Sequence, residues 1–433
     1  MDRIIKTTKD YCELLRACHN IVLTGAPGTG KSYMAKQIAT QMVLGKDDVD
    51  IDNLPPEEET IVKERTVFVQ FHPSYDYTDF VEGLRPVPNT DGSKEIMFER
   101  RDGIFKVFCK NAILAKQSSL IDAAYDKFIE SIKTGKVNTI QLKTKMSAQL
   151  YVTDDDNIKW YSENEAGNIS SNAISKPRVK ELYKVFNTIK DLETMSNIQQ
   201  GVKDVIGGCD ASYFWGVLHY LLENYVNKAN PYVFIIDEIN RGEISKIFGE
   251  LFFSIDPGYR GEKGRANTQY QNLVKIKDAN GNNDPFFEGF YVPDNVYIIG
   301  TMNDIDRSIE SMDFAIRRRF AWVEVKANDN TEMLSNLKTV ERSKAEKVMF
   351  ALNNAIWDDD AKKGIEGLSR AYHIGASYFL KFDNFIDSDN PFKDLWDFHL
   401  EGLLREYLRG LDDAEEKLDA LKKAYNEAAG ING

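Results

Sequence analysis

The feature that most constrains this chain is Gly25-Ala26-Pro27-Gly28-Thr29-Gly30-Lys31-Ser32. It stands between an apolar run, Ile21–Thr24, and an amphipathic helix that starts at Lys31. Pro27 and Gly28 break the strand, and the spacing GxxxxGK[ST] is that of a phosphate-binding loop. Its glycines allow backbone N–H groups to turn inward on phosphate, and the following helix adds the positive end of its dipole. In such a loop Lys31 reaches the β- and γ-phosphates and the Ser32 hydroxyl holds Mg2+. An ordinary Gly-rich turn has no need of a buried strand before it and a helix after it.

The other apolar runs agree with a parallel α/β sheet. "RTVFVQFHPSYDYTDFVEGL" reads as a second buried strand, Val67–Phe71, followed by an aromatic-rich segment. "YVFIIDEINRGEISKIFGELFFSI" is a third strand, Val233–Ile236, running into a helix, and "NVYIIGTMNDIDRS" is a fourth. Strands alternating with helices make a parallel sheet. Roughly 200 residues separate Lys31 from Asp237, more than a compact nucleotide domain needs. The expected layout is therefore an α/β core in two parts, 1–117 and 212–328, split by a small α+β domain at 118–211. The pattern is helical from 329 to 433, where a lid and C-terminal helices are expected. The tail "LDDAEEKLDALKKAYNEAAG" reads as a charged, largely solvated helix.

Four apolar residues precede Asp237 and Glu238. A carboxylate pair at the end of a buried strand suits a nucleotide site, Asp237 for Mg2+ and Glu238 for the attacking water. Helix N-cap acids are the alternative for such a pair. Asn303, at the end of the fourth strand, would hold that water or the γ-phosphate; a turn amide is the alternative. Asp304 reads as a solvated turn residue. Arg317, Arg318 and Arg319 are adjacent. Three neighbouring guanidiniums need separate partners, and one of them could complete a neighbouring subunit's site as an arginine finger. A basic helix end is the alternative.

Composition bounds the rest. The formal charge of −13 argues against a surface that coats nucleic acid. No apolar run approaches a membrane span, and the N-terminus has no secretory core. Cys12, Cys18, Cys109 and Cys209 form no metal-ligand spacing, as in a cytoplasmic protein with reduced thiols.

Together GAPGTGKS, DEINR (Asp237 to Arg241), MNxxDRS (Met302 to Ser308) and RRRF (Arg317 to Phe320) resemble the McrB family of AAA+ GTPases. "FHPSYDYTDFVEGLRP" and "IGASYF" are similar to that family as well. The resemblance covers about Asn20 to Gln117, Tyr213 to Val325 and, more weakly, the lid. It implies an AAA+ fold, a hexameric ring with GTP (or ATP) and Mg2+ between subunits, and an McrC-like nuclease partner. In that ring Gly25, Pro27, Gly28, Thr29, Gly30, Lys31 and Ser32 hold the phosphates. Asp237 and Glu238 form the acidic pair, Asn303 is the sensor, and Asp306 and Arg307 belong to the signature associated with GTP. Arg318 and Arg319 are the candidates for the finger in trans. The function implied is a ring motor restricting modified or foreign DNA. An ATP-driven remodelling chaperone of the MoxR type and a nucleotide-gated scaffold are the alternatives.

The McrB architecture usually starts with a separate DNA-reading domain, whereas about 19 residues precede the first strand here. The insert is the other place for recognition of DNA or of a partner. Its candidate contacts are Lys133, Lys136, Lys143, Lys145, Trp160, Lys176, Arg178 and Lys180. From Ser118 to Ser212 it carries 12 Lys/Arg and 13 Asp/Glu, and this near-neutral balance favours an assembly role or a protein partner. "GYRGEKGRANTQY", with Arg260, Lys263 and Arg265, is either a pore-facing basic loop or a mobile surface loop.

Overall fold

The computed structural model describes residues 7–87, 96–118, 120–162, 173–186, 189–208, 210–226, 231–277, 284–305 and 314–431. The chain divides into two units, Met1–Cys109 with Pro231–Gly433, and Lys110–Asn230. In chain order the strands are β1 (Asn20–Thr24), β2 (Thr66–Gln70), β3 (Glu82–Val87), β4 (Met97–Asp102), β5 (Thr139–Gln141), β6 (Ser147–Val152), β7 (Ile158–Ser162), β8 (Tyr232–Asp237), β9 (Val296–Thr301) and β10 (Ala321–Glu324).

Five strands of the first unit form a parallel sheet in the order β10-β1-β9-β8-β2. All their carboxyl ends share one edge, which is where open α/β sheets bind ligands. β1, β8 and β9 are apolar on both faces because both faces are covered. On one face Ile21, Leu23, Val233, Ile235 and Ile299 pack with Leu15, Ile38 and Met42. On the other, the Phe234 ring meets Phe105 edge-on at 5.0 Å and Phe80 at 5.7 Å. Each such side chain contributes about 1.5–3 kcal/mol by leaving water. β2 departs from the expectation of a fully buried strand. It is the edge of the sheet and buries only Val69; Phe68 is 41% exposed and lies under Lys36, Nζ 4.7 Å from the ring centre.

The helix Lys31–Leu44 starts at Gly30, whose φ of 83° favours glycine, and ends at Gly45, whose N–H donates to Gln41. After Asn328 the chain builds a second core from the helices Arg342–Ile356, Glu401–Leu408 and Ala414–Ala429. The last helix is not largely solvated, as its charge suggested. Leu418, Leu421 and Tyr425 form a stripe at helical spacing and are buried against this core. In the basic loop Lys263 is exposed, whereas Arg260 is not a surface cation. Arg260 is 2% exposed; its Nη1 donates to Val296 O at 3.2 Å and its Nη2 to Asn20 Oδ1 at 2.5 Å. Those bonds cap the starts of β9 and β1, so this arginine fastens the loop to the sheet.

In the second unit β5, β6 and β7 form an antiparallel meander, with Asp154–Asp156 in the turn between β6 and β7. Its core includes Phe128, Leu150, Leu182, Phe214 and Leu218. The helix Ala211–Leu221, read above with the α/β core, packs here because Phe214, Val217, Leu218 and Leu221 make one apolar face. No described helix is long and apolar enough to cross a membrane.

Candidate active site

The carboxyl edges of β1, β8 and β9 bring together residues that lie far apart in the chain. Lys31 is buried and curls back over the phosphate loop. Its Nζ donates to Gly25 O at 3.0 Å, Ala26 O at 2.7 Å and Thr29 Oγ1 at 3.3 Å. Burial pushes its pKa down to about 8, against the pull of Asp304, Glu238 and Asp237. Ser32 Oγ donates to Asp237 Oδ1 at 2.5 Å. Thr301, the last residue of β9, donates to the same oxygen at 2.6 Å, so a helix start and a neighbouring strand together fix one carboxylate.

Glu238 follows with φ 52°, a left-handed conformation that is costly for a side chain larger than glycine. Its N–H donates to Thr301 Oγ1 at 3.3 Å. Asn303 Nδ2 donates to Glu238 Oε1 at 2.6 Å, and Arg241 Nε lies 3.3 Å from Oε2. Ser32, Asp237, Thr301, Glu238 and Asn303 therefore form one hydrogen-bonded line beside Lys31. Asp304 keeps solvent access, yet its N–H donates to Gly25 O at 3.3 Å. Its charge acts on Lys31 more strongly than that of Asp237 or Glu238. It is thus an exposed turn residue, as read from the sequence, whose charge also acts on Lys31. Asp306 and Arg307 lie outside the described residues.

The lid segment Ile374–Phe379 lies on the phosphate loop. The N–H of Gly375 donates to Pro27 O at 3.1 Å and that of Ser377 to Gly28 O at 3.0 Å. Asn330 Nδ2 donates to Thr29 O at 2.6 Å. Next to Ala26 is a cavity of about 290 Å³, lined also by Glu324, Asn328, Asp329, Asp358, Arg370 and His373.

The arginine run is elsewhere. It precedes β10, so it sits at the amino edge of the sheet, the length of that strand from the phosphate loop, or about 13 Å. Arg317 and Arg318 are exposed, and Arg317 lies over the Trp322 ring at 5.3 Å. Arg319 is 8% exposed and turned into its own chain: Nη1 donates to Ala315 O at 2.6 Å, and the guanidinium lies 5.3 Å from the Phe252 ring. Its carbonyl accepts from Asn20 Nδ2 at 2.9 Å.

Most insert cations listed above have partners within that unit. Lys133 pairs with Asp156, Lys180 with Asp122 and Lys176 with Asp126. Lys143 donates to the carbonyls of Glu193 and Met195, Arg178 to those of Ile206 and Gly207. Trp160 stacks on Tyr213. Lys136 and Lys145 are exposed.

Thr301 and Asn330 are parts of the site that the sequence reading did not single out, and Arg241 and Gly375 stand in DEINR and IGASYF without a role there. Thr301 had a visible signal, a polar residue ending an otherwise apolar strand two residues before Asn303. Asn330 had none, and nothing local gave Gly375 its role, since only the fold brings that segment to the loop.

Known proteins resemble the chain in sequence. The family model of the AAA domain (dynein-related subfamily) matches residues 192–320, which include the acidic pair, Asn303 and the arginine run. The chain is 25% identical over 363 residues to the type IV methyl-directed restriction enzyme EcoKMcrB subunit of Escherichia coli (strain K12), covering 83% of this chain and 47% of that protein. It is 24% identical over 181 residues to the type II restriction enzyme BsuMI component YdiS of Bacillus subtilis (strain 168), covering 42% of this chain and 51% of that protein. The chain thus spans about half the length of each of these relatives. By its sheet order and phosphate loop the chain has an α/β AAA+ fold, and by these similarities it resembles McrB.

Proposed function

We propose that this chain is the nucleoside-triphosphate-hydrolysing motor of a restriction system, using GTP and working as a hexameric ring with an McrC-like nuclease. The observation that carries the hydrolytic reading is the line Ser32–Asp237–Thr301–Glu238–Asn303 beside Lys31. The names of both relatives support the restriction role.

In this reading the loop backbone from Gly25 to Gly30 cradles the phosphates, and Lys31 leaves its carbonyl partners to meet them. Glu238 and Asn303 orient the attacking water. The residues present suit Mg2+. Ser32 Oγ and Asp237 Oδ1 are hard oxygen donors within one hydrogen bond of each other, and the described residues hold no cluster of three or more His, Cys, Asp or Glu able to cage a metal. That matches an ion held by one carboxylate, a hydroxyl, waters and phosphates. When bound, the ion would neutralise charge developing between the phosphates. The cavity beside Ala26 is assigned to the nucleoside, next to the lid.

Arg318 is assigned as the finger in trans, since the run lies at the edge of the sheet away from this chain's own loop and Arg318 is its exposed middle member. Arg319, buried in its own chain, is assigned as the anchor of the run. The paired lysines of the insert support an assembly or protein-partner role there, with DNA reached through the partner.

The test is turnover of GTP and ATP by the purified chain, with and without Glu238→Gln. GTP hydrolysis faster than ATP hydrolysis, abolished in Glu238→Gln with nucleotide binding kept, is expected. Faster ATP turnover would favour the remodelling chaperone, and full activity in Glu238→Gln would remove Glu238 from its role.

A further inference from the structure

His373 is 5% exposed and lines the cavity beside Ala26. Its Nε2 lies 2.8 Å from Trp357 O. A carbonyl only accepts, so Nε2 carries the hydrogen. Burial lowers the pKa of the ring and keeps it neutral. Nδ1 is then a bare acceptor, and no described residue donates to it. A buried acceptor on a cavity wall suits a donor on the molecule that fills the cavity.

The fold fixes this ring. His373 ends the 3-10 turn Arg370–Tyr372 and stands just before Ile374 and Gly375, where the chain meets the phosphate loop. Ile374 is held from both sides: its N–H donates to Asn353 Oδ1 at 2.7 Å, and its carbonyl accepts from Asn353 Nδ2 at 3.1 Å. The same Nδ2 donates to Asn328 Oδ1, on the cavity wall, at 2.7 Å. Of the acids on that wall, Glu324 is paired with Arg370 at 2.8 Å. Asp359, whose charge acts on the His373 ring, has no hydrogen bond or ion pair through its side chain among the described residues. The groups left open beside His373 therefore include a second acceptor, and Lys326 supplies a donor.

Guanine offers N1–H and a 2-amino group as donors and O6 as an acceptor; adenine offers an acceptor at N1 and a donor at position 6. Adenine N1 against the lone pair of Nδ1 leaves both unpaired, and a site built around a hydrogen bond rejects the analogue that lacks it. We propose that His373 is a specificity-determining residue whose Nδ1 accepts the N1–H of guanine. The proposal rests on the assignment of the cavity to the nucleoside of a guanine nucleotide.

The test is the affinity of the full chain for GDP, IDP and ADP, none of which has a γ-phosphate to lose. IDP keeps N1–H and lacks the 2-amino group. GDP and IDP are expected to bind within about threefold of each other, and ADP about tenfold or more weakly. His373→Phe weakens GDP and IDP about tenfold and leaves ADP as it was. Nitrogen NMR of the imidazole rings reads the same contact without a variant: the His373 Nδ1 resonance moves with GDP and IDP and not with ADP. If the unmutated chain binds ADP at least as tightly as GDP, the guanine reading falls and this inference with it. If GDP is preferred but IDP follows ADP, or His373→Phe weakens all three equally, or Nδ1 does not move, this inference alone is overturned.

Discussion

Gly375 of the lid lies so close to Gly28 of the phosphate loop that a Cβ on Gly375 would come within 2.1 Å of the Gly28 carbonyl carbon. The two backbones are keyed together by the bonds from Gly375 to Pro27 and from Ser377 to Gly28. Gly375→Ala must push the lid segment off the loop, at a cost of about 1–3 kcal/mol. Its expected signature is a lowered Tm together with nucleotide affinity reduced about tenfold. Unchanged affinity, measured with a fluorescent nucleotide, would mean that the lid does not form part of the binding site.

The depressed pKa of Lys31 makes nucleotide binding depend on pH. Burial brings it down to about 8 in the free protein, and phosphate oxygens favour the charged amine, so the bound value is higher. Between the two values binding takes up a proton. Affinity is therefore full below pH 8 and falls above it, by up to about tenfold per unit. Calorimetry in buffers of different ionisation heat at pH 9 should read proton uptake, and none at pH 7.

Arg318 and Arg319 are adjacent but should fail differently. Arg318→Ala leaves Tm unchanged and lowers turnover of the assembled protein about 1,000-fold or more, the scale of an arginine finger. Mixing it with a Glu238→Gln chain should restore part of the activity, because each supplies what the other lacks at a shared site. Arg319→Ala instead loses about 1–3 kcal/mol of stability, since Ala315 O loses its buried donor. Equal loss of turnover without loss of stability in both variants would place them in one role.

The C-terminal helix is held by its apolar stripe. Leu421 is fully buried, so Leu421→Ala should cost about 2–5 kcal/mol. A solvated tail would show no change in the chemical denaturation curve.

Much of the nucleotide edge was legible in the sequence because it is encoded locally. A strand, a Gly-rich loop and a helix follow one another within Asn20–Leu44. The apolar runs before Asp237 and Asn303 announce buried parallel strands by composition alone. Sequence also placed the acids and the amide at strand ends. It could not say that Ser32 and Thr301 would share one oxygen of Asp237, because that contact depends on β8 and β9 lying side by side.

What only the tertiary structure decided is the fate of charges. Arg260 and Arg319 look like surface residues in the sequence, yet both are buried where their donors meet backbone carbonyls at the amino edge of the sheet. The insert's near-neutral sequence does not say which lysines are paired, and Asp122, Asp126 and Asp156 stand opposite three of them. A charged side chain takes its meaning from what desolvates or pairs it, and those partners lie too far along the chain for any local pattern to reveal. By itself the sequence determined four strands of the parallel sheet, the phosphate loop and the residue types at the strand ends. The fold decided which of the three adjacent arginines is buried and which part of the C-terminal region meets the loop.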